Sequence, residues 1–118
     1  MLTSDEIKHF IRKNTNAITD FAKNDKFNHN LLIQSKDYKG LELLIIYHKQ
    51  TDNFEIQILI DGKKILRLVS NNIEPYNLVN FILKQIDKDK KLLILDITEL
   101  GAQSIISLGA LSLLSILN

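Results

Sequence analysis

Apolar residues fall at Ile7, Phe10, Ile11, Ile18 and Phe21, which share one face at 3.6 residues per turn. Thr3 and Glu6 precede them with the spacing of a capping box, so the pattern predicts a helix over 4–23. Asn14-Thr15-Asn16 is a run of poor helix formers that should soften it. The polar stretch from Asn24 to Asn30 ends that helix, and Leu31-Leu32-Ile33 reads as a short strand within 31–35. A turn at Asp37 to Gly40 leads into Leu41 to His48, a run rich in aliphatic and β-branched residues. After Thr51-Asp52-Asn53, the residues Phe54, Ile56, Ile58 and Ile60 alternate with Glu55 and Gln57, the period of a half-buried strand.

Asp61-Gly62 separates that strand from the apolar run of Ile65 to Val69. A two-residue type I′ loop needs positive φ at both central positions, which Asp-Gly supplies, so 54–70 is a hairpin. Its tight loop should pair Ile58 with Ile65 and Phe54 with Val69. Pro75 suits a first helical turn, and Leu78, Phe81, Ile82 and Ile86 mark a helix over about 75–87. Leu92 to Ile97, broken only by Asp96, reads as a strand buried on both faces. Gly101 precedes a final helix over about 102–117. The expected fold class is therefore α+β: a mixed sheet of four to five strands with helices packed on it, in one domain spanning 1–118.

From Leu100 to Asn118 there is no charged side chain. A helix apolar on nearly every side is buried on more than one side. Three readings follow for it: a core helix under the sheet, a partner or homodimer surface, or a membrane span. The last is disfavoured by its length and the lack of basic residues on its far side.

Composition narrows function mostly by exclusion. The chain has 118 residues, 45% of them hydrophobic and 25% charged, which is ordinary globular usage. Fifteen basic against 14 acidic side chains leave a formal charge of +1, without the basic excess of a nucleic-acid binder. There are no cysteines, which excludes disulfides, thiolate metal sites and a cysteine nucleophile. With no apolar signal-peptide core near Met1, the expectation is a cytoplasmic protein. Heavy use of Ile, Lys and Asn resembles a protein from an AT-rich genome, and the expectation is a bacterial or phage source.

No constellation of catalytic residues stands out. His9, His29 and His48 are not spaced as metal ligands, and read as surface or half-buried structural residues. The four glycines form no phosphate-cradling loop, and no serine sits in a nucleophile elbow. Asp96 at a strand end, with Glu99 after it, is the one candidate for a catalytic acid, because open sheets place ligands at the carboxyl ends of strands. A strand-end Asp more often binds the amides of the next turn. Lys88, Lys90 and Lys91 mix with Asp87 and Asp89 as a solvated turn. No cofactor or metal is expected.

Gly62-Lys-Lys-Ile-Leu-Arg-Leu-Val-Ser70, the helix from Pro75, Leu92-Leu-Ile-Leu-Asp96 and Leu108-Gly109-Ala110-Leu111 together resemble the STAS domain. That is the fold of anti-anti-sigma factors and of regulatory modules on anion transporters. The resemblance covers about residues 55–115, roughly half the chain. The family's Asp-Ser-Ser-Gly stands here as Ser104-Ile105-Ile106-Ser107, and its phosphorylated serine falls on Ile105, which accepts no phosphate. The resemblance implies a non-enzymatic, regulatory protein-interaction module whose partner surface centres on Ser104, Ser107, Leu108 and Gly109. A second expectation is a small antagonist of a larger enzyme, such as an immunity protein or phage-encoded inhibitor. A third is a minor enzyme using Asp96 or Glu99.

Overall fold

The computed structural model describes residues 2–71 and 73–89. Helix α1 (Ser4–Lys13) opens on the expected box: the Thr3 hydroxyl accepts from the Glu6 amide, and the Glu6 carboxylate accepts from the Thr3 amide, each at 3.1 Å. The single helix expected over 4–23 is broken at Asn14, whose side-chain amide donates back to the Phe10 carbonyl at 2.8 Å. A short helix α2 (Thr15–Asp20) follows, then a wide π-type turn (Phe21–Asp25) that keeps Phe21 and Ala22 in the core. The break falls where three weak helix formers meet, since Asn and Thr compete for backbone partners.

Four strands then form one antiparallel sheet in sequential order: β1 (Leu31–Gln34), β2 (Leu41–His48), β3 (Asn53–Ile60) and β4 (Lys63–Val69). A 3-10 turn (Pro75–Asn77) leads into α3 (Leu78–Lys88). This is the expected α+β architecture. The candidate strand 92–97 and helix 102–117 lie outside the described residues, as does much of the stretch that carries the STAS resemblance.

The hairpin forms as its turn chemistry requires, with φ of +51° at Asp61 and +77° at Gly62. Its register differs from expectation. Near the turn Ile60 faces Lys63 and Leu59 faces Lys64, but a bulge after Ile58 moves the pairing by one residue. Ile58 therefore faces Leu66 rather than Ile65, and Glu55 rather than Phe54 faces Val69. A slip of one residue exchanges the two faces of a strand. Without the bulge, Arg67 would point into the core and Leu66 and Leu68 out of it; with it, Leu66 and Leu68 join Ile56 and Ile58 on the helix side.

All three helices cover that one side. Ile7, Phe10 and Ile11 from α1, Ile18 and Phe21 from the second segment, and Leu78, Ile82 and Ile86 from α3 pack on Leu41, Leu43, Ile45, Phe54, Ile56 and Ile58. Lys8 of α1 binds Asp87 at 2.7 Å; Asp87 lies in the last turn of α3 and stays exposed. Ser70 fastens the far end of the hairpin. Its buried hydroxyl accepts from the Phe54 amide at 2.9 Å, and its own amide donates to the Phe54 carbonyl at 2.9 Å.

Candidate recognition face of the sheet

The sheet side away from the helices is built by strand alternation. Register places Leu32, Leu44, Gln57 and Arg67 in one row across it, and Ile46, Glu55 and Val69 in the next. Gln34, Glu42, Leu59 and Lys64 form the row nearer the hairpin turn. Among the described residues no helix lies over this side. Leu44, Ile46 and Leu59 are half-buried there, while Leu32 is 57% and Val69 44% exposed.

Glu55 sits at the centre of this surface and is the only buried carboxylate among the described residues. Its side chain is 11% exposed. One carboxylate oxygen meets His48 Nε2 at 2.8 Å; the other accepts from Gln57 Nε2 at 2.8 Å and Arg67 Nε at 2.9 Å. The Gln57 and His48 hydrogen bonds, with further help from the Arg67 guanidinium, outweigh burial and hold the carboxyl down at about 2, against an ordinary 4.5. Glu55 is thus a fixed anion whose acceptors are engaged. It serves here to orient a cation and an imidazole, not as a general base.

Both groups it orients reach solvent: the Arg67 side chain is 53% exposed and that of His48 47%. Only Nε of Arg67 is engaged by Glu55, which leaves the two terminal amino groups as donors on a fixed fork. The arrangement suits binding of a carboxylate within an apolar surround. Among the described residues no three His, Cys, Asp or Glu side chains are placed to hold a metal ion.

Two other features flank this face. At the end holding the β2–β3 turn, Lys26 Nζ lies 4.5 Å from the Tyr47 ring centroid, 5.2 Å from that of Phe27 and 5.7 Å from that of Phe54. That cluster already holds its own cation. Tyr47 also donates to Asp52 at 2.5 Å, a bond that raises its pKa. At the hairpin end, an open groove has an apolar floor of Leu2, Tyr38, Ile60 and Ile65, with charges of both signs at its rim.

Of the histidines weighed in the sequence, His9 is exposed on α1, and His29 Nδ1 donates to the Asn30 carbonyl at 2.8 Å. His48 has the carboxylate partner that linear spacing did not reveal. Asp96, Glu99, Ser104, Ser107, Leu108 and Gly109 lie outside the described residues. The grouping of His48, Glu55, Gln57 and Arg67 is not visible in the sequence. Strand parity alone places 55 and 57 together, but bringing Arg67 to them requires the bulge. Among the described residues no helix is long and apolar enough to cross a membrane. Comparison of the chain with protein-family models, with curated proteins and with solved structures gave no match.

Proposed function

We propose that this chain is a non-enzymatic protein-interaction module that engages its partner through the open face of the sheet. The observation that carries the reading is the Glu55 clamp: a buried anion commits its hydrogen bonds to presenting Arg67 and His48 amid partly exposed Leu32, Leu44, Ile46 and Val69. Arginine in an apolar surround is the composition of interface hot spots. The partner it fits presents an Asp or Glu side chain ringed by aliphatic groups. A regulatory role and a cytoplasmic setting are compatible with a chain that has no cysteine. The STAS-like surface at Ser104 to Gly109 is a separate proposal for the same class of function.

Quantitative affinity capture from the native host tests this. The unaltered chain and a Lys84→Glu control on exposed α3 should recover the same partner. Arg67→Glu should reduce recovery about tenfold or more, equivalent to about 1.4 kcal/mol. Equal recovery by Arg67→Glu and the control overturns the assignment of this face. A Ser107→Lys arm tests the other surface independently.

A further inference from the structure

The two edges of the sheet are built differently. β4 carries Lys63, Lys64 and Arg67 and is bulged against β3, and these are devices that discourage a further strand. At the other edge, β1 pairs with β2 in unbroken register, and among the described residues no strand pairs with its outer side. From Asn28 to Ser35 the chain has no Lys, Arg, Asp, Glu, Pro or Gly. Leu31 and Ile33 are half-buried at the rim of the core, on the helix side, while Leu32 is 57% exposed on the open side. Three consecutive apolar residues are thus left incompletely covered at an edge, the makeup of a strand with a neighbour on each side.

The register fixes which groups this edge offers. The Ser35 amide donates to the Leu41 carbonyl at 2.9 Å, which sets the next bonded pairs at Ile33–Leu43 and Leu31–Ile45. Bonded pairs alternate in an antiparallel ladder, so the main-chain groups of Asn30, Leu32 and Gln34 point away from β2. The Asn30 carbonyl accepts from His29 Nδ1 at 2.8 Å and keeps a second lone pair.

This edge complements itself. With a two-fold axis at Leu32, two copies meet antiparallel: Leu32 faces the partner's Leu32, Leu31 faces the partner's Ile33, and Asn30 faces the partner's Gln34. Apolar meets apolar and amide meets amide. Gln34 Nε2 donates to Glu42 at 2.9 Å, which leaves the Gln34 side-chain oxygen to accept from the partner's Asn30. Moving the axis to Ile33 sets Leu32 against Gln34 and Asn30 against Lys36, and the match is lost.

We infer that the chain forms a symmetric dimer in which the β1 edges of two copies pair antiparallel about Leu32, making one sheet continuous across both. The two open faces then join into one surface with an Arg67 toward each end. The inference goes beyond the proposed function and does not rest on it, because it concerns an edge of the sheet and not the Glu55 clamp.

The pairing strand is short, so the dimer is weak, with an expected Kd of about 100 μM or tighter. Sedimentation equilibrium of the full-length chain between about 5 μM and about 500 μM measures it. Leu32→Lys sets like charges opposite one another at an exposed site and should weaken association about tenfold or more. Because the chain has no cysteine, single introduced thiols report the register. Leu32→Cys places two thiols across a bonded pair about 5.5 Å apart at Cα, within disulfide range. Mild oxidation should cross-link it about tenfold or more faster than Val69→Cys, an exposed site on β4. Should Leu32→Lys fail to fold, the cross-linking comparison decides. A monomer across the whole concentration range overturns the inference. So does association undiminished by Leu32→Lys, or equal cross-linking at the two sites.

Discussion

The two faces of one sheet are put to opposite uses. On the inner face, Leu43, Ile45, Ile56 and Ile58 are fully buried under three helices, in one apolar cluster. On the outer face, Leu44, Ile46 and Leu59 alternate with those same residues yet stay half-buried, and the centre is occupied by an ionised glutamate. The backbone and its hydrogen bonds are common to both. What differs is the covering layer, and so the stabilisation each apolar side chain contributes. Inner-face residues stabilise the fold; outer-face residues keep surface available and hold polar groups in a set arrangement.

That contrast is sharpest at adjacent residues of β2. Ile45→Ala should destabilise the chain by about 2–5 kcal/mol, because its neighbours close imperfectly over the cavity. Leu44→Ala, one residue away, should cost less than about 1.5 kcal/mol, because its side chain is only half-buried. Urea denaturation monitored by circular dichroism measures both, and equal losses would mean that the outer face is covered as fully as the inner one.

Acid dependence separates the faces in a second way. The folded-state pKa of Glu55 lies near 2, below its ordinary 4.5, so its contribution is present above about pH 4.5 and is lost as pH falls toward 2. The shift corresponds to at most about 3 kcal/mol, and less to the extent that solvent screens the exposed ends of Arg67 and His48. Glu55→Gln should remove this part of the acid sensitivity, so the gap between the two stability curves narrows between pH 4.5 and 2. Parallel curves would show that the clamp contributes nothing to the fold.

A smaller effect is expected at the seam between the faces. Ser70→Ala removes the buried acceptor of the Phe54 amide, at a cost of roughly 1–2 kcal/mol. The same change should speed exchange at Phe54 without altering exchange at Leu43, which native-state hydrogen exchange resolves.

The inner face is readable in the sequence and the outer one obscure, for a physical reason. Helical spacing at Ile7, Phe10 and Ile11, alternation at Phe54, Ile56 and Ile58, and the Asp61-Gly62 turn are local patterns, and each fixes its element within a few residues. The Glu55 clamp depends on the pairing of three strands. His48 and Glu55 are joined across a turn, and Arg67 reaches Glu55 only because a bulge after Ile58 absorbs one residue of β4. A tight turn sets the register beside it, but a bulge resets it further on, and nothing in the local pattern of Lys64-Ile65-Leu66 announces the shift. The interruption at Asn14 is legible as weak propensity; the π-type turn after Asp20 is not.

Carbon-13 NMR titration of the Glu55 side-chain carboxyl tests directly whether it stays ionised well below its ordinary pKa as the anchor of Arg67 and His48. The expected midpoint is near pH 2, with the Arg67 Nε–H resonance moving in the same transition. A midpoint near 4.5, with Arg67 indifferent to it, would mean that the clamp does not form and that the open face has no organised centre.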